Sequence, residues 1–422
     1  MTPVPAALRR SVLSHRAAFW VQASVLVVLM AASSAPSPLY PVYQAQWGFP
    51  PVVLTVIFAA YVLALLGALL TVGALSDHLG RRPVLLAALC LEIISMLVFM
   101  LAGSQVDLIA ARLLQGLATG TAMGALGAYL IELETAVRPG LGTVLNGAGP
   151  TLGLAVGAVA ASLVVASAPG SVHLIFVVLL ALLVLQLAGT ALGPETVTRI
   201  PGALASLRPR VHFPRATRRT ALWVLPGAVA TWALGGLILA LGPSLVRSMA
   251  GPDAVVLTGL IIAALTGTGC LASLLLGNAR SHQVLALGMA ALFVGLAASI
   301  PALILHSTGA YFAAIVVAGA GFGAGFLGVL RILMPLVAAH ERAGLLSAIY
   351  VASYLANSVP AVAAGAVAGR AGLTPTAVGY TGAVMALALF VLLCLLVRSR
   401  TSARRIQDRG VVGAGTAAAR SR

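Results

Sequence analysis

Twelve apolar stretches, six on either side of a break rich in proline and arginine, decide what this chain can become. They cover 17–36, 52–74, 84–103, 108–130, 141–166 and 172–192, then 221–242, 254–276, 283–305, 309–333, 344–368 and 376–397. A transmembrane helix takes roughly 20 mostly apolar residues, so each stretch can cross a bilayer once. Composition agrees: 60% of the residues are hydrophobic and 8% are charged, whereas a soluble domain is roughly 25% charged. Too few polar side chains remain to coat a surface facing water, so the solvent must be lipid. The first stretch follows Arg9, Arg10 and Arg16 as a signal peptide would. It is longer than the ~7–15-residue apolar region of a cleaved signal and reads as the first span.

The chain contains no lysine, so all 25 basic residues are arginine. A Walker A loop needs its lysine on the phosphates, and a Schiff base needs a lysine amine. A self-contained ATP-driven pump and a retinal protein are both excluded. The net charge of +16 could signal nucleic acid, but the arginines lie in loops and tails between spans, so no nucleic-acid partner is expected. With the N-terminus placed inside, 22 arginines fall on the cytoplasmic side, only Arg247 and Arg370 fall outside, and Arg112 lies within a span. The positive-inside rule then predicts a multi-pass protein of the cell inner membrane with both termini cytoplasmic. The predicted organisation is a cytoplasmic segment 1–16, a six-helix half 17–192, a linker 193–220 against the anionic leaflet, a second half 221–397, and a disordered basic tail 398–422. Cys90, Cys270 and Cys394 sit inside apolar segments, where free thiols behave as small hydrophobes, and no disulfide is expected.

The most specific segment joins the second and third spans: Gly73-Ala-Leu-Ser-Asp77-His-Leu-Gly80-Arg81-Arg82-Pro83. Gly73 allows close helix packing, Gly80 allows a tight turn, and Asp77 can meet unpaired amides at a helix start. The segment resembles the loop motif G-x-L-x-D-x-x-G-R-R/K of the major facilitator superfamily at every defining position. The resemblance implies an all-α membrane fold of two six-helix halves. It also implies a latch between the halves when the cavity opens outward. In such a latch Asp77 meets the start of the eleventh helix and Arg81 meets an acid at the end of the fourth, either Glu132 or Glu134.

Two further motifs follow. Arg112-Leu-Leu-Gln115-Gly116 on the fourth span places three residues on one helix face. An arginine there costs roughly 2.5–3.5 kcal/mol, so that face should look into a cavity unless the side chain snorkels to the headgroups. It resembles the R-x-x-Q-G motif, whose arginine is linked to proton coupling. Gly149-Pro150-Thr-Leu-Gly153 on the fifth span is similar to the core of the antiporter motif of drug/proton exporters, although Leu145 and Leu154 replace two of its glycines. Small residues at this spacing also serve plain helix packing. Pro194-Glu195-Thr196 closes the sixth span in facilitator-like fashion. Gly277-Asn-Ala-Arg280 sits where a degraded second copy of the loop motif belongs, and Ser358, Pro360 and Gly365 echo the fifth span.

Glu92 is the only carboxylate deep within a span. It is either a proton carrier or cation site, or a protonated structural acid. Asp107 marks the outer mouth. No histidine is central in a span, so no metal, cofactor or nucleophile–histidine arrangement is expected, and the chain does not read as an enzyme. Polar and aromatic residues expected along the substrate path are Gln22, Ser34, Tyr40, Tyr61, Gln115, Asn146, Trp232, Tyr350, Tyr354 and Asn357. Such a cavity suits amphiphilic or weakly polar small molecules. The expected function is proton-coupled export of drug-like compounds or metabolites by a monomer in the bilayer. An uptake carrier for a small organic solute and a non-transporting receptor or scaffold are the alternatives.

Overall fold

The computed structural model describes residues 12–134, 138–168, 172–209, 211–338 and 341–420, the last 22 of them as backbone alone. Arg9, Arg10, Arg210 and Arg422 of the arginine count lie outside the described residues. Within lipid every backbone polar group must be satisfied inside its own segment, and the chain answers with helices throughout. The first half contains α1 (His15–Ser34), α2 (Tyr40–Trp47), α3 (Pro51–Val72), α4 (Leu75–Leu79), α5 (Arg81–Leu101), α6 (Gln105–Leu133), α7 (Leu141–Ser167) and α8 (Leu174–Leu192). The linker forms α9 (Ala203–Ser206). The second half contains α10 (Arg215–Ala240), α11 (Gly242–Ala250), α12 (Val255–Leu275), α13 (Ser281–Ile304), α14 (Thr308–Leu333), α15 (Arg342–Ala371) and α16 (Leu373–Arg420).

Eleven of these helices are long and apolar enough to cross a membrane. The twelfth is α6, which is rich in glycine and threonine and carries Arg112 and Gln115. Two features escaped the hydropathy reading. A 3-10 turn at Ser37–Leu39 divides the first span from the short α2, and α11 follows α10 in the matching place. The tail, expected to be disordered, continues α16 to Arg420. Its alanines and arginines are strong helix formers, and the backbone runs on through them.

The halves use the same pairing scheme. In the first, α1 packs on α7, α3 on α6, and α5 on both α6 and α8. In the second, α10 packs on α15, α12 on α14, and α13 on α14 and α16. Each half has its own apolar core. Between them, α3 meets α15 and α7 meets α12.

The alternation of spans puts the loops at 73–81, 134–141, 193–215, 276–281 and 334–342 on one side, here called the arginine-rich face. At the opposite face the halves are closed. A Cβ on Gly259 of α12 would lie 2.8 Å from the Ser162 Cβ of α7, and one on Gly365 of α15 would lie 3.0 Å from the Thr55 Cβ of α3. The short helices α2 and α11 touch there as well. Toward the arginine-rich face the α7–α12 contact continues as far as the Cys270 thiol, which donates to the Ala148 carbonyl at 3.5 Å, and ends beyond it. Gly147, on the α7 face that meets α12 higher up, has nothing within 4 Å of its Cβ position, and the Asp77 side chain is 56% exposed.

Candidate functional site

Arg81 organises the loop between α4 and α5. Its Nε and Nη2 donate to Glu132 Oε1 at 3.1 and 2.9 Å, and its Nη1 donates to Ser76 Oγ at 2.8 Å and Asp77 Oδ1 at 2.5 Å. Of the two acids open to choice, Glu132 takes the guanidinium, because it is still on α6 and faces α5. Glu134 lies past the end of that helix and accepts the Gly142 N–H of α7 at 2.8 Å. Asp77 meets Arg81 in this closed-opposite state, and among the described residues no hydrogen bond or ion pair joins its side chain to the start of α15.

Glu195, noted in sequence only as part of the Pro-Glu-Thr that closes the sixth span, is a partner of the loop. Its Oε1 accepts the backbone N–H of Arg81 at 2.9 Å and its Oε2 that of Arg82 at 3.1 Å. It therefore caps α5, whose first amides would otherwise be unpaired. Thr196 donates its hydroxyl to Glu132 Oε2, so the Pro-Glu-Thr turn and the loop form one network. The only signal in sequence was an acid straight after a helix-ending Gly-Pro. Gly80 makes this cap possible. Its φ is +103°, and a Cβ there would sit 2.8 Å from the Glu195 Cδ. Gly80→Ala is expected to cost about 1–3 kcal/mol through backbone strain and to displace the cap. Thermal unfolding in detergent beside Glu195→Gln checks this, since a wild-type midpoint for Gly80→Ala would contradict it.

Arg112 is fully buried, so it does not snorkel. Its Nε donates to the Tyr40 hydroxyl at 2.6 Å, and its Nη1 donates to the Ser33 carbonyl at 2.7 Å and Gln115 Oε1 at 2.5 Å. The rings of Tyr61, Tyr40 and Phe99 lie 5.3, 5.4 and 5.7 Å from its Cζ, within cation–π range. Gln115 Nε2 donates in turn to the Ala32 carbonyl at 2.9 Å and to Glu92 Oε1 at 3.2 Å. One amide thus joins the buried acid of α5 to the buried base of α6. Two atoms are left over: Arg112 Nη2 and Glu92 Oε2 are buried without hydrogen-bond partners. Tyr61 completes the group by donating to Ser33 Oγ at 3.0 Å. Gly116 brings α6 against α3, because a Cβ there would stand 2.7 Å from the Ala64 Cβ.

Several residues expected along the substrate path are instead ties between helices. Gln22 is buried and donates to Thr190 on α8, while Ser34 is buried and donates to the Leu154 carbonyl on α7 at 2.7 Å. Asn146 donates to the Gly127 carbonyl at 2.9 Å. Tyr40 is spent on Arg112. A polar side chain in a span can satisfy itself across one helix pair, and sequence gives no sign of which pair. The stripe of Gly149, Pro150 and Gly153 packs α7 on α1: a Cβ on Gly149 would lie 2.7 Å from Leu26 and one on Gly153 would lie 2.6 Å from the Val27 carbonyl.

In the second half the expected residues do come together. Trp232 sits edge-on to Tyr354 at 4.6 Å and to Phe326 at 5.3 Å, and Tyr350 lies 6.0 Å from Tyr354. Asn357 holds the Trp232 carbonyl at 3.0 Å. Tyr354 also packs against the first-half core and is within electrostatic reach of Tyr61. The aromatic group therefore faces the Arg112 group across the middle of the protein. The degraded loop copy is held differently from the original. Arg331, at the end of α14, donates to the carbonyls of Leu276 at 3.2 Å and Ala279 at 3.3 Å, and to that of Gly277. Here the arginine that ties the loop down comes from the end of α14, and it is held by backbone carbonyls rather than by an acid. Sequence reading counted Arg331 only as a topology charge. Among the described residues no group of His, Cys, Asp or Glu could hold a metal ion.

A family profile of the Major Facilitator Superfamily matches residues 22–359. No curated protein matches the chain in sequence. Among solved structures, the nucleoside transporter NupG is 14% identical, with a TM-score of 0.63 over 90% of this chain and 99% of that one. A mutant form of NupG gives a TM-score of 0.66 at 13% identity, covering 90% of this chain and 100% of that one. The human organic anion transporter MFSD10 (TETRAN) is 19% identical, with a TM-score of 0.62 over 90% of this chain and 100% of that one. The chain belongs to the major facilitator superfamily. It is a multi-pass membrane transporter for a small molecule.

Proposed function

We propose that this transporter exports weakly polar, planar aromatic compounds in exchange for protons. The arginine-rich face is then cytoplasmic, with both termini at the inner membrane surface, and the working unit is a monomer. The observation that carries the reading is the Glu92–Gln115–Arg112 chain. Glu92 takes and releases the proton. Gln115 passes the change of charge to Arg112, whose hold on Ser33 and Tyr40 spans the junction of α1 and α2. Because α2 touches α11 at the closed face, that hold links protonation to the outer gate. The glycine stripe that seats α7 on α1 supports exchange rather than symport, as its resemblance to the antiporter motif implies.

The substrate class follows from the aromatic group around Trp232. It offers ring faces and tyrosine hydroxyls and, among the described residues, no charged partner of its own. Solved relatives of the fold include a nucleoside transporter and an organic anion transporter, and a planar ring system is compatible with both.

The latch works in the opposite state. The start of α15 has no side-chain cap, so its free amides can receive Asp77 once the halves close at the arginine-rich face.

The test is transport of aromatic dyes and nucleoside-like compounds into inverted vesicles, driven by an imposed proton gradient. Glu92→Gln keeps the size and the bond to Gln115 but cannot titrate. Gradient-driven transport should fall to background while substrate binding persists and loses its dependence on pH between about 5 and 9. Unchanged transport with an unchanged pH profile would remove Glu92 from the mechanism.

A further inference from the structure

On the flank of the second half, at the arginine-rich face, α10, α13 and α16 pack together. Their ends carry a cluster that transport does not use. The Arg398 guanidinium lies over the Trp223 ring, 4.6 Å from its centroid. The His282 ring is stacked near the same indole at 6.4 Å and 23°. Arg219 stands one helical turn before Trp223 on the same face of α10. Arg280 is the N-cap residue of α13, two positions before His282. Arg219, Arg280, His282 and Arg398 are all exposed.

Two observations separate this cluster from an ordinary solvated surface. Trp223 is only 6% exposed, yet its indole N–H has no hydrogen-bond partner. Among the described residues, both ion pairs belong to Arg81, so none of these three arginines is paired with an acid. Of the carboxylates beyond the linker, Asp253 is at the opposite face, Glu341 is at the start of α15, and Asp408 lies on α16 well beyond Arg398, roughly 15 Å further along the helix. The same three helices expose Leu222, Leu287, Leu393 and Leu396 at 76, 54, 52 and 55%. Positive charge, an unused donor and apolar surface therefore adjoin at the edge of the bilayer.

We infer that this cluster binds the headgroup phosphate of an anionic phospholipid in the leaflet bordering the arginine-rich face. Arg398 and Arg219 carry the charge contact, and the acyl chains lie on the exposed leucines. The Trp223 N–H, which has no exposed surface with Arg398 over its ring, gains an ester or phosphate oxygen as partner when that side chain swings out to the headgroup. The adjoining apolar surface assigns the site to a lipid rather than to a soluble phosphate, which would leave that surface uncovered.

The test uses the full-length protein, delipidated in neutral detergent and titrated with phosphatidylglycerol or phosphatidylcholine, with bound lipid counted by native mass spectrometry. The wild type should retain phosphatidylglycerol saturably and in preference to phosphatidylcholine. The double variant Arg219→Gln/Arg398→Gln should retain roughly 10–30-fold less, the loss expected for two basic side chains at a lipid surface. Both positions are exposed, and a lipid-free unfolding midpoint equal to wild type confirms the variant's fold. If it is lower, Trp223→Phe decides, since it keeps the ring and removes only the donor, and it should weaken retention by a smaller factor. Equal retention of the two lipids by the wild type would overturn the assignment, as would wild-type retention by the folded double variant. Displacement of the lipid by inorganic phosphate at equal concentration would overturn it in favour of a soluble anion.

Discussion

Replacing Gly259 and Gly365 together with valine should hold the protein open at the face away from the arginines and stop transport. Both glycines sit where the two halves touch, with the side chains of Ser162 and Thr55 already in the space a Cβ would need. Overpacking a close contact costs about 1–3 kcal/mol per site. Two sites together shift the balance between the two open states by at least roughly thirtyfold. The closed-opposite state carries the cost wherever opening of that face parts these contacts. Spin labels at Gln44 on α2 and Ser248 on α11 would report the change as a longer distance between them. The same exchange at Gly369, which has nothing within 4 Å of its Cβ position, should leave both distance and transport as in the wild type. A double variant that still closes would mean that the halves do not rock about this contact.

Removing Arg112 should have a comparably large effect of a different kind. Arg112→Ala leaves the Tyr40 hydroxyl, the Ser33 carbonyl and Gln115 without their strongest partner, and breaking a buried charged network costs about 3–5 kcal/mol. Both the unfolding midpoint and gradient-driven transport should drop. Arg112→Lys separates the two effects. It restores a charge but not the planar fork or the stacking against Tyr61 and Tyr40, so stability should recover further than coupling. Substrate exchange in proteoliposomes without a gradient should continue in the lysine variant. Full gradient response in both variants would place the coupling elsewhere.

The spans were legible because an apolar run long enough to cross a bilayer has few other fates. The divisions at Ser37–Leu39 and Leu241 were not, since a short turn at a membrane surface leaves the hydropathy of the run unchanged. The loop motif was legible because Gly80 and Arg81 have few substitutes in a turn of that shape. Its acid was ambiguous because Glu132 and Glu134 are only two positions apart, and the choice depends on where α6 ends. Glu195 was noted but its role was not legible, for a related reason: its carboxylate acts on backbone amides of a helix 114 residues away in sequence, and backbone partners leave no mark in a pattern of side chains. Of the residues expected along the substrate path, the aromatic ones at 232, 350 and 354 did gather. Gln22, Ser34 and Asn146 did not, because the direction in which a helix presents a polar group is set by its neighbours.

The linker has two anchors. Ile200 donates to the His78 carbonyl and His78 Nδ1 to that of Pro201, both at 3.1 Å, which fastens its first part to the first half. His212 donates to the Gly344 carbonyl at 3.3 Å, which fastens its last part to the second half. Between these anchors run residues 202–211, which include the short helix α9, so part of the stretch advances only about 1.5 Å per residue against roughly 3.3–3.6 Å for extended chain. That stretch is a leash. Its length limits how far the two bodies can swing apart at this face, and with it the largest solute that can enter. Deleting two or three residues there would narrow the swing without touching a single residue that meets the solute.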